Sequence, residues 1–125
     1  MSEPDNRRIV EQFWAAVNAK DWDAHDRLVD DDYVQEWPQS GERIRGKANS
    51  RAIKDNYPTG RTPTLRRITG AADVWIIETT IDYGSEVAQG IHVLELKQGK
   101  VRRETDYFSQ PFEAPAWRAQ WVERM

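Results

Sequence analysis

Apolar residues in the first 29 positions recur at the three- and four-residue spacing of amphipathic helices. The two apolar stripes are Ile9, Val10, Phe13, Trp14 and Val17, followed by Trp22, His25, Leu28 and Val29. Asn18 to Asp21 separates them. Ser2 to Asp5 fits a capping box with Pro4 in the first turn, and Asp21 can cap a second helix. The pattern therefore predicts two helices.

The next 30 residues mix turn signals with short periodic runs. Asp30 to Asp32 predicts a turn, and Tyr33 to Trp37 predicts a short strand ended by a proline. Gly41 and Gly46 bracket a loop or short hairpin. A third helix is expected to start at Asn49 or Ser50 and to run to about Tyr57.

From residue 64 onward the spacing changes to strand-like alternation. The predicted strands are Thr64–Thr69, Val74–Tyr83, Glu86–Leu96 and Val101–Ser109, and a short helix over Ala116–Arg124 follows them. Trp117 and Trp121 lie one turn apart and are expected to pack that helix on the sheet or on a second subunit. Helices followed by strands predict an α+β fold in which the helices cover one face of a curved antiparallel sheet and leave a cavity.

Length and composition narrow the possible functions. The 125 residues suit one domain spanning 1–125, and the absence of cysteine excludes disulfides and thiolate chemistry. With 18 basic and 21 acidic residues the net charge is −3, which does not favour nucleic acid as a partner. The start of the chain has no signal-peptide pattern, and no apolar run could span a membrane. We therefore expect a cytoplasmic protein that binds neither membrane nor nucleic acid.

Several segments resemble the SnoaL-like polyketide cyclase family of the nuclear transport factor 2-like superfamily. These segments are Val10–Asp23, Leu28–Tyr33, Trp37–Gly41, Ile44–Gly46, Leu94–Val101 and Thr105–Phe108. The resemblance implies a conical α+β barrel, with three N-terminal helices over the concave face of the sheet and a deep apolar pocket. It also implies that Asp106 matches an aspartate on the last strand of the cyclases.

The same superfamily holds ketosteroid isomerases, whose catalytic pattern this chain does not reproduce. Where they place an oxyanion tyrosine this chain has Phe13, and where they place the aspartate base it has Trp37. Their second oxyanion acid falls on His92. The carboxylate-arginine-carboxylate arrangement of the related epoxide hydrolases is not evident either.

Asp106 and His92 are the candidate catalytic residues, because a carboxylate and an imidazole in an apolar cavity can transfer protons near neutral pH. Their relative position depends on the turn at Gln98-Gly99. A two-residue turn would pair Lys97 with Lys100 and send Asp106 to the other face of the sheet. We favour a three-residue loop, since Gln98 resists positive φ, and this loop puts His92 opposite Glu104 with Asp106 as its diagonal neighbour on one face. Glu104 would then lie near the rim or pair with an arginine.

Aromatic side chains are candidates for contacts with a flat ligand, although each could equally be an ordinary core residue. The candidates are Trp14, Tyr33, Trp37, Tyr57, Trp75 and Phe108. His25 is expected to pack between helices, and Glu36 could face either way. The three adjacent aspartates cannot all point at one ion, so they are read as a solvated turn.

The sequence favours an enzyme without cofactor or metal that carries out acid/base chemistry, such as isomerisation, cyclisation or hydration, on an apolar, ring-containing molecule. In this hypothesis Asp106 moves a proton and His92 orients or polarises the substrate. The alternatives are a non-catalytic module that binds or senses a hydrophobic small molecule, and a dimeric interaction domain. A homodimer is expected in any of these cases.

Overall fold

The computed structural model describes residues 2–58 and 60–125. Within these ranges the chain forms three α-helices, six β-strands and a C-terminal 3₁₀-helix. The helices are α1 Glu3–Ala19, α2 Trp22–Leu28 and α3 Gly46–Asp55. The strands are β1 Val29–Trp37, β2 Glu42–Arg45, β3 Thr62–Ala71, β4 Val74–Asp82, β5 Val87–Lys97 and β6 Lys100–Ser109. The 3₁₀-helix covers Ala116–Trp121.

The six strands of this part of the chain form one curved, unclosed sheet in the order β2-β1-β6-β5-β4-β3. Every neighbouring pair is antiparallel except β1 and β6, which run parallel. The predicted α+β class, with helices first and a curved sheet after them, is confirmed. The parallel contact arises because the chain passes through β2, α3 and three further strands before β6 returns beside β1.

The first helix begins as its sequence predicts. Ser2 is the N-cap, its hydroxyl oxygen accepts the backbone N–H of Asp5 at 3.4 Å, and Pro4 lies in the first turn. Asp21 caps α2 in the same way, accepting from the backbone N–H of Ala24 at 3.1 Å. These short polar side chains satisfy backbone donors that have no partner inside the helix.

The turn predicted at Asp30–Asp32 is wrong, because these residues belong to β1. They form the irregular stretch between the two residues, Val29 and Val34, that pair with β6 on either side of them. The third helix also begins earlier than predicted, at Gly46 rather than Asn49 or Ser50. Its N-cap residue, Arg45, makes no side-chain capping bond that the sequence could have revealed.

The C-terminal segment was predicted as a helix over Ala116–Arg124 but forms a shorter 3₁₀-helix. Trp117 and Trp121 do not pack on the sheet, since they are 74% and 72% exposed. Packing on a second subunit stays a prediction. No helix in the described ranges has the length and apolarity needed to cross a membrane.

The main core forms where the helices cover the concave face of the sheet. Its buried members are Val10, Phe13, Val29, Tyr33, Trp75, Ile77, Leu94, Leu96 and Val101. On β4 and β5 burial alternates along the strand, so one face is inside and the other is outside. This alternation fixes which strand residues can reach the interior.

The turn between β5 and β6 differs from the predicted three-residue loop. Gln98 has φ 49° and Gly99 has φ 77°, and Lys97 pairs with Lys100 around them. This is the two-residue turn that was disfavoured because Gln98 would need positive φ. Taken alone, it would have placed Asp106 on the outer face.

A β-bulge restores the shared face. Leu96 pairs with Val101 and Glu95 with Arg103, so β6 carries one extra residue at this point. A single extra residue moves every following side chain of the strand to the opposite face of the sheet. The prediction that His92 and Asp106 share a face is therefore correct, but the two residues are directly opposed rather than diagonal.

Candidate active site

A cavity with a free volume of about 100 Å³ lies between the three helices and the inner faces of the strands. Phe13, Trp14 and Val17 line it from α1, and Ile77 and Ile81 line it from β4. A cavity of roughly 150 Å³ is enough to bind benzene. The present one is smaller, so its enclosed part suits a ligand no larger than a single ring.

Six of the eight residues predicted for the site line this cavity. They are Trp14, Trp37, Tyr57, His92, Asp106 and Phe108. The other two, Tyr33 and Trp75, lie in the packed core. Trp75 is 3% exposed and its indole N–H donates to the carbonyl oxygen of Ala72 at 3.0 Å, so it braces the β3–β4 turn instead of facing a ligand. Tyr33 is fully buried and faces Glu104.

Asp106 and His92 form a hydrogen-bonded pair at the polar end of the cavity. His92 Nδ1 lies 2.7 Å from Asp106 Oδ1. Asp106 is 2% exposed, whereas the His92 side chain is 17% exposed. Because a carboxylate accepts hydrogen bonds, this contact places the proton of the neutral imidazole on Nδ1 and leaves the lone pair on Nε2.

Two residues of β1 hold the second oxygen of Asp106. The side-chain amide of Gln35 donates to Oδ2 at 2.6 Å, and the indole N–H of Trp37 donates to it at 3.0 Å. Both residues reach the site because they alternate on the inner side of β1, whereas Glu36 between them faces outward toward Arg43 and Arg103. Asp106 is thus a buried carboxylate with three N–H donors.

Glu104 is a buried member of this cluster and not the rim residue that was predicted. Its Oε1 accepts from the Tyr33 hydroxyl at 2.8 Å, and its Oε2 accepts from Gln35 at 3.4 Å. Burial, followed by the negative charge of the adjacent Asp106, raises the pKa of Glu104 to about 8. Glu104 is therefore mostly protonated at pH 7. The expectation of a rim position fails because the bulge sets Glu104 opposite Leu94, deep in the sheet.

The far side of His92 contacts Thr79 on β4, with His92 Nε2 and Thr79 Oγ1 2.9 Å apart. Gly90 makes this approach possible: a Cβ at that position would lie 2.5 Å from Thr79 Oγ1 and 3.0 Å from His92 Nε2. Burial lowers the pKa of His92 because desolvation disfavours the imidazolium. His92 is thus a neutral imidazole held from both sides.

His25 packs between helices as predicted, and it also borders the cavity. It is 1% exposed and lies among the rings of Phe13, Trp22 and Tyr33. Its Nδ1 contacts Asp26 at 3.0 Å, while its Nε2 is buried without a hydrogen-bond partner in the described structure. Burial lowers the pKa of His25, which leaves Nε2 as an acceptor open to a donor from water or ligand.

Sequence reasoning missed Gln35, Thr79, Lys54 and Arg61 as cavity residues. Gln35 and Thr79 could have been found from strand alternation, because Gln35 is two residues from Tyr33 and Trp37, and Thr79 is four residues from Trp75, all of them candidate pocket residues. Lys54 and Arg61 gave no comparable signal. A basic residue on a polar helix or in a loop, as Lys54 and Arg61 are, is indistinguishable in sequence from an ordinary surface charge.

Three side chains have the composition of a metal site. His92, Glu104 and Asp106 each offer one ligand atom, and these atoms lie within 4.8 Å of one another. The N–H groups of Gln35 and Trp37, however, already point at Asp106 Oδ2, and an N–H donor at that oxygen competes with a cation. The contacts fit a hydrogen-bonded acid/base cluster better than a metal site.

Comparison with known proteins agrees with this fold. Residues 10–104 match the SnoaL-like domain family, so the chain belongs to that family. The expected membership of the nuclear transport factor 2-like superfamily is likewise confirmed. No protein with a curated description matches the chain significantly.

Solved structures of several bacterial proteins are similar along most of their length. One is an NTF-2 like protein of unknown function from Burkholderia xenovorans LB400, with 41% identity and a TM-score of 0.84, covering 98% of this chain and 96% of that one. A putative ketosteroid isomerase from Kribbella flavida has 27% identity and a TM-score of 0.92, covering 98% and 91%. An LEH-like epoxide hydrolase from M. tuberculosis has 26% identity and a TM-score of 0.70, covering 86% and 84%.

Proposed function

We propose that this protein is a cofactor-independent enzyme that transfers a proton within a small, mostly apolar ring compound. Enolisation, isomerisation, cyclisation and hydration all share this step. The observation that carries the proposal is the Asp106–His92 pair, buried at the polar end of a cavity whose other walls are largely aromatic and aliphatic. The similarity to a putative ketosteroid isomerase and to an LEH-like epoxide hydrolase supports an enzyme of this general kind.

The geometry favours a base formed by the two residues together. The sequence hypothesis assigned the proton transfer to Asp106 alone, but Asp106 is 2% exposed and three N–H groups donate to it. His92 is the more exposed member, and its Nδ1–H bond to the carboxylate leaves Nε2 as the unprotonated, basic nitrogen. Nε2 accepts from the Thr79 hydroxyl in this structure, so it must exchange that contact for the substrate before it can take a proton. When a substrate C–H bond breaks, the proton passes to this pair, an enolate forms, and the pair returns the proton to another atom of the substrate.

Glu104 sets the charge of the pair's surroundings. Protonated at neutral pH, it adds no second negative charge beside Asp106, so the cluster can hold a single ionised carboxylate. It can also donate its hydroxyl hydrogen. Glu104 therefore serves as a positioning residue for Asp106 in this proposal.

Deuterium incorporation into small cyclic ketones tests the proposal without knowledge of the natural substrate. Cyclohexanone, 2-cyclohexenone and 3-cyclohexenone in D₂O match the size of the cavity, and NMR follows both α-hydrogen exchange and double-bond migration. The wild-type protein is expected to accelerate at least one of these reactions. Asp106→Asn and His92→Gln are each expected to slow it by roughly a hundredfold or more, the usual contribution of general acid–base catalysis.

The Asn variant is informative because its amide would donate to His92 Nδ1. That donation forces the proton of the neutral imidazole onto Nε2 and removes the basic lone pair while the shape of the site is kept. Glu36→Gln, on the outward face of β1, is the matched control and should retain the wild-type rate. Unchanged turnover in both pair variants would disprove the mechanism.

A non-catalytic binding module is the second candidate, and one observation favours it. The polar atoms of the pair already have protein partners, since Thr79 contacts His92 Nε2 and Gln35 and Trp37 occupy Asp106 Oδ2. A satisfied network of this kind can simply line a ligand site. If the ketones bind, are recovered without deuterium, and bind equally to Asp106→Asn, the protein is a non-catalytic binding module.

A further inference from the structure

The mouth of the cavity is rich in positive charge. A cleft of about 310 Å³ adjoins the cavity and shares Trp22, Lys54, Tyr57 and Arg61 with its lining. Among the described residues that line this cleft, three are basic, Lys20, Lys54 and Arg61, and none is acidic. The chain as a whole carries a net charge of −3, so this concentration of cations does not follow from composition.

Lys54 and Arg61 converge on this mouth without a carboxylate between them. Each borders both the cavity and the cleft. Burial is the main cause that lowers the pKa of Lys54. The charges of Glu104, Asp26 and Asp106 raise that pKa, and the charge of Arg61 lowers it. The ion pairs of the described residues include none to either side chain. The carboxylates that act on Lys54 do so from beyond ion-pair distance, so an anion placed between the two cations would make the close charged contact that neither has within the described residues.

The surroundings of both cations hold them in place. Lys54 Nζ lies 2.6 Å from Ser50 Oγ and 5.5 Å from the centre of the Trp22 ring, while the Arg61 guanidinium stacks over Tyr57 at 4.0 Å. A single hydroxyl contact leaves two of the three ammonium hydrogens of Lys54 for a ligand. Stacking leaves the edge of the guanidinium free to donate, as in bidentate recognition of oxyanions.

We infer that the ligand is a ring compound bearing an oxyanion, a carboxylate in the simplest case, held at the mouth by Lys54 and Arg61. The buried Asp106 carboxylate lies at the other end of the cavity and repels a second negative charge. The two ends of the pocket thus differ in sign, and the ligand enters with its apolar ring toward His92. This inference rests on the proposed function only for the proton transfer at the ring. The preference for an anionic ligand is independent of catalysis, because it can be measured by binding alone.

The test compares 3-phenylpropionate with 3-phenylpropionamide, two probes of nearly equal shape that differ in charge. Binding is followed by calorimetry or by NMR shifts of the indole N–H signals. The wild-type protein is expected to bind the acid at least about tenfold more tightly than the amide, as hydrogen bonds to charged groups allow. Lys54→Met and Arg61→Gln should each reduce this ratio, and together they should abolish it.

Lys97→Met, at the exposed end of β5, is the control that removes a positive charge elsewhere and should keep the ratio. Equal binding of acid and amide to the wild type, binding of neither, or a ratio that survives in the double variant would overturn the inference. The ketone-exchange assay, run on the same variants, separates the two proposals. Catalysis that depends on Asp106 without a charge preference would leave the proposed function standing and remove only the anionic substrate.

Discussion

At the scale of single residues, the unusual feature is a carboxyl group buried beside a carboxylate. Glu104 is 8% exposed, its oxygens accept from Tyr33 and Gln35, and its pKa of about 8 means that it enters the folded protein as the neutral acid. In the unfolded chain the same group has a pKa near 4.5. Folding therefore binds a proton at any pH between these two values.

The sign of the resulting pH dependence follows from this proton uptake. Stability contributed by protonated Glu104 is complete below about pH 4.5 and is lost as pH rises through about 8. Glu104→Gln mimics the neutral acid at every pH. The free energy of unfolding of this variant minus that of wild type is expected to increase by on the order of a few kcal/mol as the pH rises from 5 to 8. Urea unfolding at four pH values in this interval measures the difference.

Subtracting the free energies of unfolding of the two proteins at each pH cancels the pH dependence that His25 and His92 contribute to both. Glu113→Gln, in an exposed loop, is the control and should run parallel to wild type. A wild-type minus Glu104→Gln difference that stays constant from pH 5 to pH 8 would show that Glu104 titrates as an ordinary glutamate and would contradict the burial argument.

Some of the site could be predicted from single residues, and some could not. Asp106 and His92 were found because each can transfer protons from an apolar strand and because the family resemblance matches each to a functional position, Asp106 to the last-strand aspartate of the cyclases. Tyr33 and Trp75 were misplaced because an aromatic ring reads the same in a core as in a pocket wall. Lys54 was missed because its role depends on how α3 lies over the sheet, which no local pattern specifies.

At the scale of elements, the β5–β6 hairpin shows how two local irregularities can cancel. The two-residue turn alone would turn Asp106 outward, and the bulge after Val101 turns it back. Turn residues give a sequence signal, but a bulge at Arg102 does not, because Arg102 and the next residue, Arg103, both look like ordinary surface positions. The correct prediction of a shared face was therefore reached through the wrong turn.

The turn itself stores strain at Gln98, whose φ of 49° is left-handed. A non-glycine residue there costs roughly 1 to 2 kcal/mol, and asparagine tolerates the conformation better than glutamine. Gln98→Asn is expected to raise the free energy of unfolding by up to about 1 kcal/mol without changing activity. Urea unfolding measures the gain, with Gln120→Asn in the exposed 3₁₀-helix as control. A Gln98→Asn variant no more stable than wild type would indicate a different turn.

At the scale of the whole molecule, the two faces of the sheet are unequally covered. Helices and the cavity occupy the concave face, whereas the outer face carries exposed apolar side chains on adjacent strands. Ile91 is 44% exposed, and its direct partner on β6, Tyr107, is 46% exposed. Val87, further along β5, is also 44% exposed. Contiguous apolar side chains on an uncovered sheet face are typical of an interface.

We therefore expect the chain to form a homodimer through this outer face. Sedimentation or light scattering should give about twice the chain mass of 14.6 kDa. Ile91→Glu places a charge in the middle of the face and is expected to shift the protein to monomer, because a buried unpaired carboxylate costs several kcal/mol. Phe112→Glu is the matched control, since Phe112 is 77% exposed but lies in the C-terminal segment. If Phe112→Glu dissociates the dimer and Ile91→Glu does not, the C-terminal aromatic residues form the interface instead. In that case the exposed Trp117 and Trp121 would have the second-subunit role predicted for them, and the outer face would remain open to other partners.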